Sequence, residues 1–239
     1  MEPVMNFIPK RRSGPEFLDL PPDTYRPEEL EGSLADIRVV NRYLGDMRAM
    51  VKYLSLKTGG TTAFSLLDIA TGSADIPAGI AAWARRAGKR AVITGVDINR
   101  QTIGIARRRC EGFPEIRLAV ADGLDLPFAD KSFDFVICSK ITHHFTDEEA
   151  ARLMGGMMRV AKRGYLIMDL RRSWIAWALI YILTRLFTTN RLTRYDGPLS
   201  VLRSFTPDEL AALARRAGAT EFAISREPFW LMVLAGEVS

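Results

Sequence analysis

Leu66-Leu67-Asp68-Ile69-Ala70-Thr71-Gly72-Ser73-Ala74-Asp75-Ile76-Pro77, LLDIATGSADIP, is the stretch on which the rest of the chain turns. Its first half is an apolar run of strand length and its middle is a turn of small residues. From Asp75 a helix opens, with Pro77 in the first turn, where a missing N–H breaks no helical bond. Strand, tight turn and helix together are common to many nucleotide-binding folds. Against the dinucleotide pattern, Ala70, Gly72 and Asp75 stand where three glycines would. Gly72 preserves close backbone approach. Asp75 sets a negative charge at the helix N-terminus, where a dinucleotide would place its diphosphate, and so argues against one.

On either side of this stretch the pattern repeats. Strands are predicted at 64–70, 91–98, 116–122, 133–139 and 164–170, and two more follow as EFAIS and FWLMVLAG near the end of the chain. Helices are predicted from Asp75 to Ala87 and from Asn99, as cap, to Cys110. Two capping boxes, Thr146-Asp-Glu-Glu149 and Thr206-Pro-Asp-Glu209, open further helices that run to Ala161 and Gly218. Alternating strand and helix with short links implies a doubly wound, mostly parallel α/β sheet of seven strands, because parallel neighbours need crossovers. Ligands of such sheets lie beyond the carboxyl ends of the strands. Asp68, Asp97 and Asp122 sit at or near three of those ends. Upstream, residues 1–32 read as an extended arm over the surface. A helix is predicted from Ser33 to Gly59-Gly60, on a stripe of Ile37, Val40, Leu44, Met47, Val51 and Leu54.

A ligand with adenosine but no phosphate, carrying a sulfonium and an ammonium, avoids the conflict at Asp75. S-adenosylmethionine is such a ligand. Asp97 can accept two hydrogen bonds from ribose hydroxyls, Asp122-Gly123 can meet the adenine amino group, and Ile98 can lie against the adenine face. LLDIATGSADIP, VITGVDIN, LAVADGLDLPFADKSFDFVIC and LIMDL resemble the ordered motifs of class I S-adenosylmethionine-dependent methyltransferases. The likeness covers roughly 33–237 and is nearest to the small-molecule branch similar to ubiquinone/menaquinone biosynthesis methylases. It implies a Rossmann-like methyltransferase fold in one domain, 33–239. It also implies that Asp68, Ala70, Thr71, Gly72, Ser73 and Ala74 hold the methionine part, Asp97 the ribose, and Asp122 with Gly123 the adenine. Ile98 and Ser139 complete the expected cofactor set. Ala70 and Ala74 replace the outer glycines of the family's Asp/Glu-x-Gly-x-Gly-x-Gly, which implies a slightly tighter turn.

SKITHHF, 139–145, follows the fourth strand where strand order reverses, and it holds both histidines of the chain. In the family this loop borders the methyl group and the acceptor. Methyl transfer is an SN2 displacement in which the protein aligns the partners and, for an oxygen acceptor, removes a proton. A histidine suits that task, and His144, or else His143, is the expected base. The bland alternative leaves one packed at the helix start and the other in water.

Between the fifth strand and the last helix, 171–204 holds the apolar run Trp174 to Leu183, too short to span a bilayer. Arg171, Arg172, Arg185, Arg191 and Arg194 surround it, with no acid before Asp196. Such a helix can lie at a membrane surface, cover a greasy substrate as a lid, or meet another subunit. As a lid it would bring Arg171, Trp174, Trp177 and Tyr181, with His143, against a small lipophilic acceptor such as a phenolic, quinol or polyketide-like ring. Methylation of RNA or protein, and a non-catalytic S-adenosylmethionine binder, are the competing readings.

The formal charge of +5 does not by itself point to nucleic acid. Arg85-Arg86, Arg107-Arg108-Arg109 and Arg215-Arg216 fall near predicted helix ends, where cations complement the dipole. No aromatic-studded basic track is present, and the Asn/Asp-Pro-Pro-aromatic motif of nucleic-acid amino-methylases is replaced by SKITHH, so no nucleic-acid partner is expected. Cys110 and Cys138 lack metal-ligand spacing and suit a reducing compartment, and no metal is expected. MEPVMNFIPKRR lacks a long apolar core, so no signal peptide is read, and the cytoplasm, with contact at the inner membrane face through 171–194, is the expected location.

Overall fold

The computed structural model describes residues 8–43 and 45–238. Seven strands form one sheet: β1 (Ala63–Ile69), β2 (Arg90–Asp97), β3 (Ile116–Val120), β4 (Phe133–Ser139), β5 (Ala161–Leu170), β6 (Phe222–Glu227) and β7 (Leu231–Glu237). Their order is β3-β2-β1-β4-β5-β7-β6. The β3-to-β5 block is parallel, and β7 pairs antiparallel with both β5 and β6. The sequence therefore reads the mostly parallel sheet correctly. The antiparallel pair arises because β6 and β7 are joined by a short turn with no helix to carry the chain back.

Alternation along the central strands builds two cores, since successive side chains point to opposite faces. Leu67, Ile69, Val136, Cys138 and Ile167 face one way. They meet Met154 and Met157 of α5 (Asp147–Val160) and Leu210 and Leu213 of α8 (Pro207–Arg216). Leu66, Phe135, Ile137 and Leu166 face the other, against Met50 and Leu54 of α2 (Asp46–Lys57) and Ile80 of α3 (Asp75–Arg86). Full burial contributes about 1.5–3 kcal/mol for each such large side chain, and both faces are closed this way. The expected caps form: Thr146 and Thr206 each complete a capping box, and Asn99 accepts from Gln101 and Thr102 to open α4 (Arg100–Arg109). The paired arginines stand in the last turns of α3, α4 and α8.

The N-terminal region departs from its expectation. The helix starts earlier, as α1 (Pro27–Tyr43), with Glu28 and Glu29 in its first turn. It is separate from α2, which opens behind Gly45 at φ 99°, a left-handed angle that glycine adopts without strain. The single stripe from Ile37 to Leu54 is therefore split, and its Leu44 lies outside the described residues. Leu54 of the stripe is buried as expected, and Leu30 and Leu34 of α1 and Met50 of α2, outside it, are buried as well.

The arm before α1 lies along the surface, as expected, but it is anchored there by buried residues. Its residues 1–7 lie outside those described. From Ile8 onward it is bound to the body, with Glu16 and Tyr25 buried. Arg172 Nε donates to the Pro9 carbonyl at 2.8 Å, Arg12 N to that of Leu202 at 3.0 Å, and Phe17 N to Asp196 Oδ1 at 2.7 Å. Of the arm's charges, Glu16 and Asp19 meet the buried Arg203 and the histidine turn.

Residues 171–204 hold two helices, α6 (Trp174–Phe187) and α7 (Arg191–Arg203). They cross closely at Gly197, where an added Cβ would stand 3.2 Å from Thr184 and 3.3 Å from Ile180. Among the described residues no helix is long and apolar enough to cross a membrane.

Candidate active site

The turn after β1 is held in an alternating left-handed conformation: φ is 55° at Ala70, 55° at Gly72 and 58° at Ala74. An alanine there costs about 1–2 kcal/mol of steric strain, so the turn persists because its surroundings fix it. Thr71 N donates to the Val96 carbonyl at 2.9 Å, and Gly72 N to Asp97 Oδ2 at 3.1 Å. The turn presses on β2 at Gly95, whose added Cβ would stand 2.7 Å from Thr71 Oγ1. The two alanines are thus accommodated in left-handed conformations that glycine would adopt without strain.

Three carboxylates gather around this turn. Asp68 is 2% exposed and accepts from Thr71 Oγ1 at 2.7 Å. Burial, with lesser help from Asp75 and Asp97, pushes its carboxyl up to about 8. Asp97 takes Asn99 N on Oδ1 at 2.9 Å and Gly72 N on Oδ2, and burial raises its pKa as well. Asp75 accepts from Asn41 Nδ2 at 2.8 Å and Ser73 Oγ at 3.2 Å. Among the described residues, none of these three acids is in an ion pair. The nearby cation, Lys140, is committed to Asn41 Oδ1 and to buried Asp46. Asp122 lies two positions beyond β3 (Ile116–Val120) and caps its own turn through Leu124 N at 2.8 Å. Gly123 lets that turn approach β1, for a Cβ there would stand 2.7 Å from Ile69.

The histidines occupy a single 3-10 turn, Thr142–His144. His143 is 2% exposed, and its Nδ1 lies 2.6 Å from Asp169 Oδ1 at the end of β5. Asp169 also accepts Thr142 Oγ1, His143 N at 3.1 Å and Leu170 N at 2.7 Å. These contacts hold its carboxyl below the usual range despite full burial, which acts the other way and is the largest single influence. His144 Nδ1 meets Asp19 of the N-terminal arm. Arg203 of α7 locks the turn, with Nε on the His143 carbonyl at 3.1 Å and Nη2 on that of His144 at 2.7 Å. Glu16 reaches both imidazoles, its carboxyl pushed up to about 7 chiefly by burial.

One cavity of about 1500 Å3 is lined by Asp68, Asp75, Asp97, Asp122, both histidines, Glu16, Asp19 and Arg203, with Asp169 behind it. Small-molecule sites commonly measure about 300–1000 Å3, so this one exceeds a single ligand. Asp68, Ala70 to Ser73, Asp97, Ile98, Asp122, Gly123, Ser139, His143 and His144 line it, and Ala74 lies fully buried behind the turn. Ser139 Oγ is buried there without a hydrogen-bond partner.

Arg171, Trp174, Trp177 and Tyr181 do not line it. The apolar wall comes from another side of α6, through Ile180, Leu183 and Phe187, with Leu18, Ile37 and Val40 opposite in sequence. Trp174, Trp177 and Tyr181 stack on one another outside, Trp174 and Tyr181 being more than two-fifths exposed. Helical spacing explains the difference: Ile180, Leu183 and Phe187 recur at three and four, and aromatic content did not mark that face. Glu16, Asp19, Asp169 and Arg203 went unread, because only Asp169, as the acid ending LIMDL, lies in a motif at all.

Residues 66–164 match the family of methyltransferase domains. The chain is 31% identical over 177 residues to the ubiquinone/menaquinone biosynthesis C-methyltransferase UbiE of Desulfotalea psychrophila, covering 74% of this chain and 66% of that protein. Identity to the UbiE of Laribacter hongkongensis is 31% over 142 residues, 57% of this chain and 56% of the relative. The chain thus spans between about half and two thirds of these curated relatives. In fold it is similar to a SAM-dependent methyltransferase from Aquifex aeolicus, with a TM-score of 0.65 and 13% identity over 90% of this chain and 100% of that one.

Proposed function

The chain belongs to the class I S-adenosylmethionine-dependent methyltransferases, similar to UbiE, and on that premise we propose that it methylates a small lipophilic acceptor. The acceptor we favour is a hydroxyl on a phenolic, quinol or polyketide-like ring. The observation that carries the reading is the single cavity, in which a rim of unpaired carboxylates meets an apolar wall.

The residues present fit the cofactor. Asp68 and Asp75 are carboxylates without cationic partners, suited to an ammonium and a sulfonium and ill suited to phosphate. Each Asp97 oxygen takes a single backbone N–H, which leaves lone pairs for ribose hydroxyls. Ile98, 70% exposed at the cavity edge, offers its face to adenine beside Asp122 and Gly123, and Ser139 offers an unpaired hydroxyl. When bound, S-adenosylmethionine supplies an electrophilic methyl group.

The chain supplies alignment and a place for the proton. His143 gives Nδ1–H to Asp169, which leaves the Nε2 lone pair free to accept an acceptor hydroxyl proton, and Asp169 steadies the imidazolium that forms. The geometry favours His143 over His144 for this role, since His143 is the buried one. The apolar wall of α6 excludes water from the transfer.

A second reading, in which a ring carbon is methylated, is supported by the names of the relatives, which are C-methyltransferases. We also place the chain in the cytoplasm with α6 against the inner membrane face. Ile175, Ile182 and Leu186 support this, being more than half exposed on a helix whose other side lines the cavity.

Incubation with methyl-labelled S-adenosylmethionine and lysate of the source organism tests the main reading. Label is expected in the organic extract, and the product's NMR spectrum separates oxygen from carbon. Label confined to RNA or protein would overturn the small acceptor. Flotation with anionic liposomes, lost in Ile182→Glu, tests the membrane face.

A further inference from the structure

Both histidines of the Thr142–His144 turn give Nδ1 to a carboxylate, His143 to Asp169 and His144 to Asp19. A donating Nδ1 places the lone pair of the neutral ring on Nε2. This is the carboxylate–histidine pairing that orients imidazoles toward a metal ion. The two Nε2 atoms share a third group. Glu16 Oε1 stands 3.6 Å from His143 Nε2, and Glu16 Oε2 stands 3.6 Å from His144 Nε2. Glu16 is 2% exposed, and its Oε1 has no hydrogen-bond partner, while Oε2 accepts only from Ser200 Oγ at 2.9 Å. We propose that Glu16, His143 and His144 form a binding site for one divalent transition-metal ion, with zinc the first choice.

The distances suit such an ion. The three ligand atoms lie within 4.8 Å of one another. A tetrahedral zinc with bonds near 2.0–2.1 Å holds its ligand atoms roughly 3.3 Å apart, close to the two 3.6 Å separations. Two imidazoles and one carboxylate select zinc or cobalt over calcium and magnesium, which take oxygen ligands.

Polar groups close the site on its other sides: Asp169 and Asp19 hold the two imidazoles, and Arg203 stands beside Glu16. Arg203 Nη1 lies 3.6 Å from Glu16 Oε1, and the group is already committed to Asp19 and to both histidine carbonyls. All three ligands line the cavity, so a further coordination position opens into it.

The site does not depend on methyl transfer. The ion would use the same His143 lone pair that accepts the proton in the proposed reaction, so loading and that role exclude each other. Zinc is therefore expected to inhibit transfer.

Equilibrium dialysis of the full chain against zinc alone tests the site, with cobalt absorption reporting the geometry. One ion per chain and the intense visible bands of four-coordinate cobalt are expected. Asp19→Asn, which leaves all three ligands in place, is expected to weaken binding about tenfold. Glu16→Gln combined with His144→Gln is expected to abolish it. Each variant is checked by its melting curve and by its binding of S-adenosylhomocysteine, so that misfolding is not mistaken for a lost ligand. No zinc bound by the intact chain would overturn the site, as would undiminished binding in a folded double variant. A chain that binds zinc but transfers no methyl group even after its metal is stripped with chelator would overturn only the preceding function.

Discussion

The two ends of the cavity are built on different principles. Around Asp68 and Asp97 several contacts are local: Thr71 to Asp68 spans three residues, Asn99 to Asp97 two, and Leu124 to Asp122 two, while Gly72 to Asp97 spans 25. Around the histidines the contacts are remote. His143 to Asp169 spans 26 residues, His144 to Asp19 125, and Arg203 to Asp19 184. The first end is a property of short strand–turn–helix units. The second exists only once the arm, α7 and the β5 end have met.

The sharpest way to break this contrast is Arg203→Met. Arg203 is 6% exposed, and its loss leaves two buried carbonyls and two carboxylates without their donor. Removing one partner of a buried charged network costs about 3–5 kcal/mol, which for a chain of this size lowers the melting temperature by about 10 °C. A melting curve within a degree or two of the native one would show that the remote end is not held by this network.

Asp97→Ala acts on the local end and is expected to be milder for folding and harsher for binding. Loss of a charged acceptor for two hydroxyls costs about 2–3 kcal/mol, or roughly 30–150-fold in affinity. Titration of S-adenosylhomocysteine by calorimetry checks this, and unchanged affinity would remove Asp97 from the cofactor site.

Protons sharpen the same end. Burial holds the Asp68 carboxyl up at about 8, against an ordinary value of 3.8, so the ligand-free chain carries it protonated at pH 6. A cationic ligand favours the ionised form, and binding therefore releases up to one proton. Affinity is expected to tighten as pH rises toward about 8, by up to about 1.4 kcal/mol per unit. Stability of the ligand-free chain runs the opposite way. Asp68's contribution is complete below about pH 4 and is lost as pH rises from there toward 8, because only the unfolded carboxyl ionises in that window. Calorimetry in buffers of different ionisation enthalpy measures the released proton, and Asp68→Asn should abolish it.

How much could be read in advance follows from this contrast. The strands and the capping boxes were legible because each depends on neighbours in sequence, and Asp68 and Asp97 stood out as acids at strand ends. Glu16 and Arg203 were not, since nothing near Glu16 distinguishes it from a solvated charge and its partners come from α7 and the histidine turn. The face of α6 was misread for a related reason: tryptophans suggested a pocket, whereas the close crossing with α7 at Ile180 and Thr184 sets Ile180 and Leu183 along the cavity. The break at Gly45 was hidden because the apolar stripe continues across it.

The smallest effect separates two alanines that the family pattern treats alike. Ala70 and Ala74 both hold left-handed angles, so glycine at either position relieves about 1–2 kcal/mol of strain. Glycine also loosens the unfolded chain by about 0.4–1 kcal/mol, which leaves a gain of roughly 0.5–1 kcal/mol at Ala70, a half-buried position. Ala74 differs in its surroundings. Its methyl is fully buried against Ala106 and Cys110, and deleting it costs a further ~0.8 kcal/mol. Ala70→Gly is thus expected to raise the denaturation midpoint, and Ala74→Gly to leave it near its native value. Equal gains at both would mean that the Ala74 methyl contributes little packing. A loss at Ala70 would mean that the turn tolerates its alanine without strain, and that its course is fixed by Gly72 and Asp97 alone.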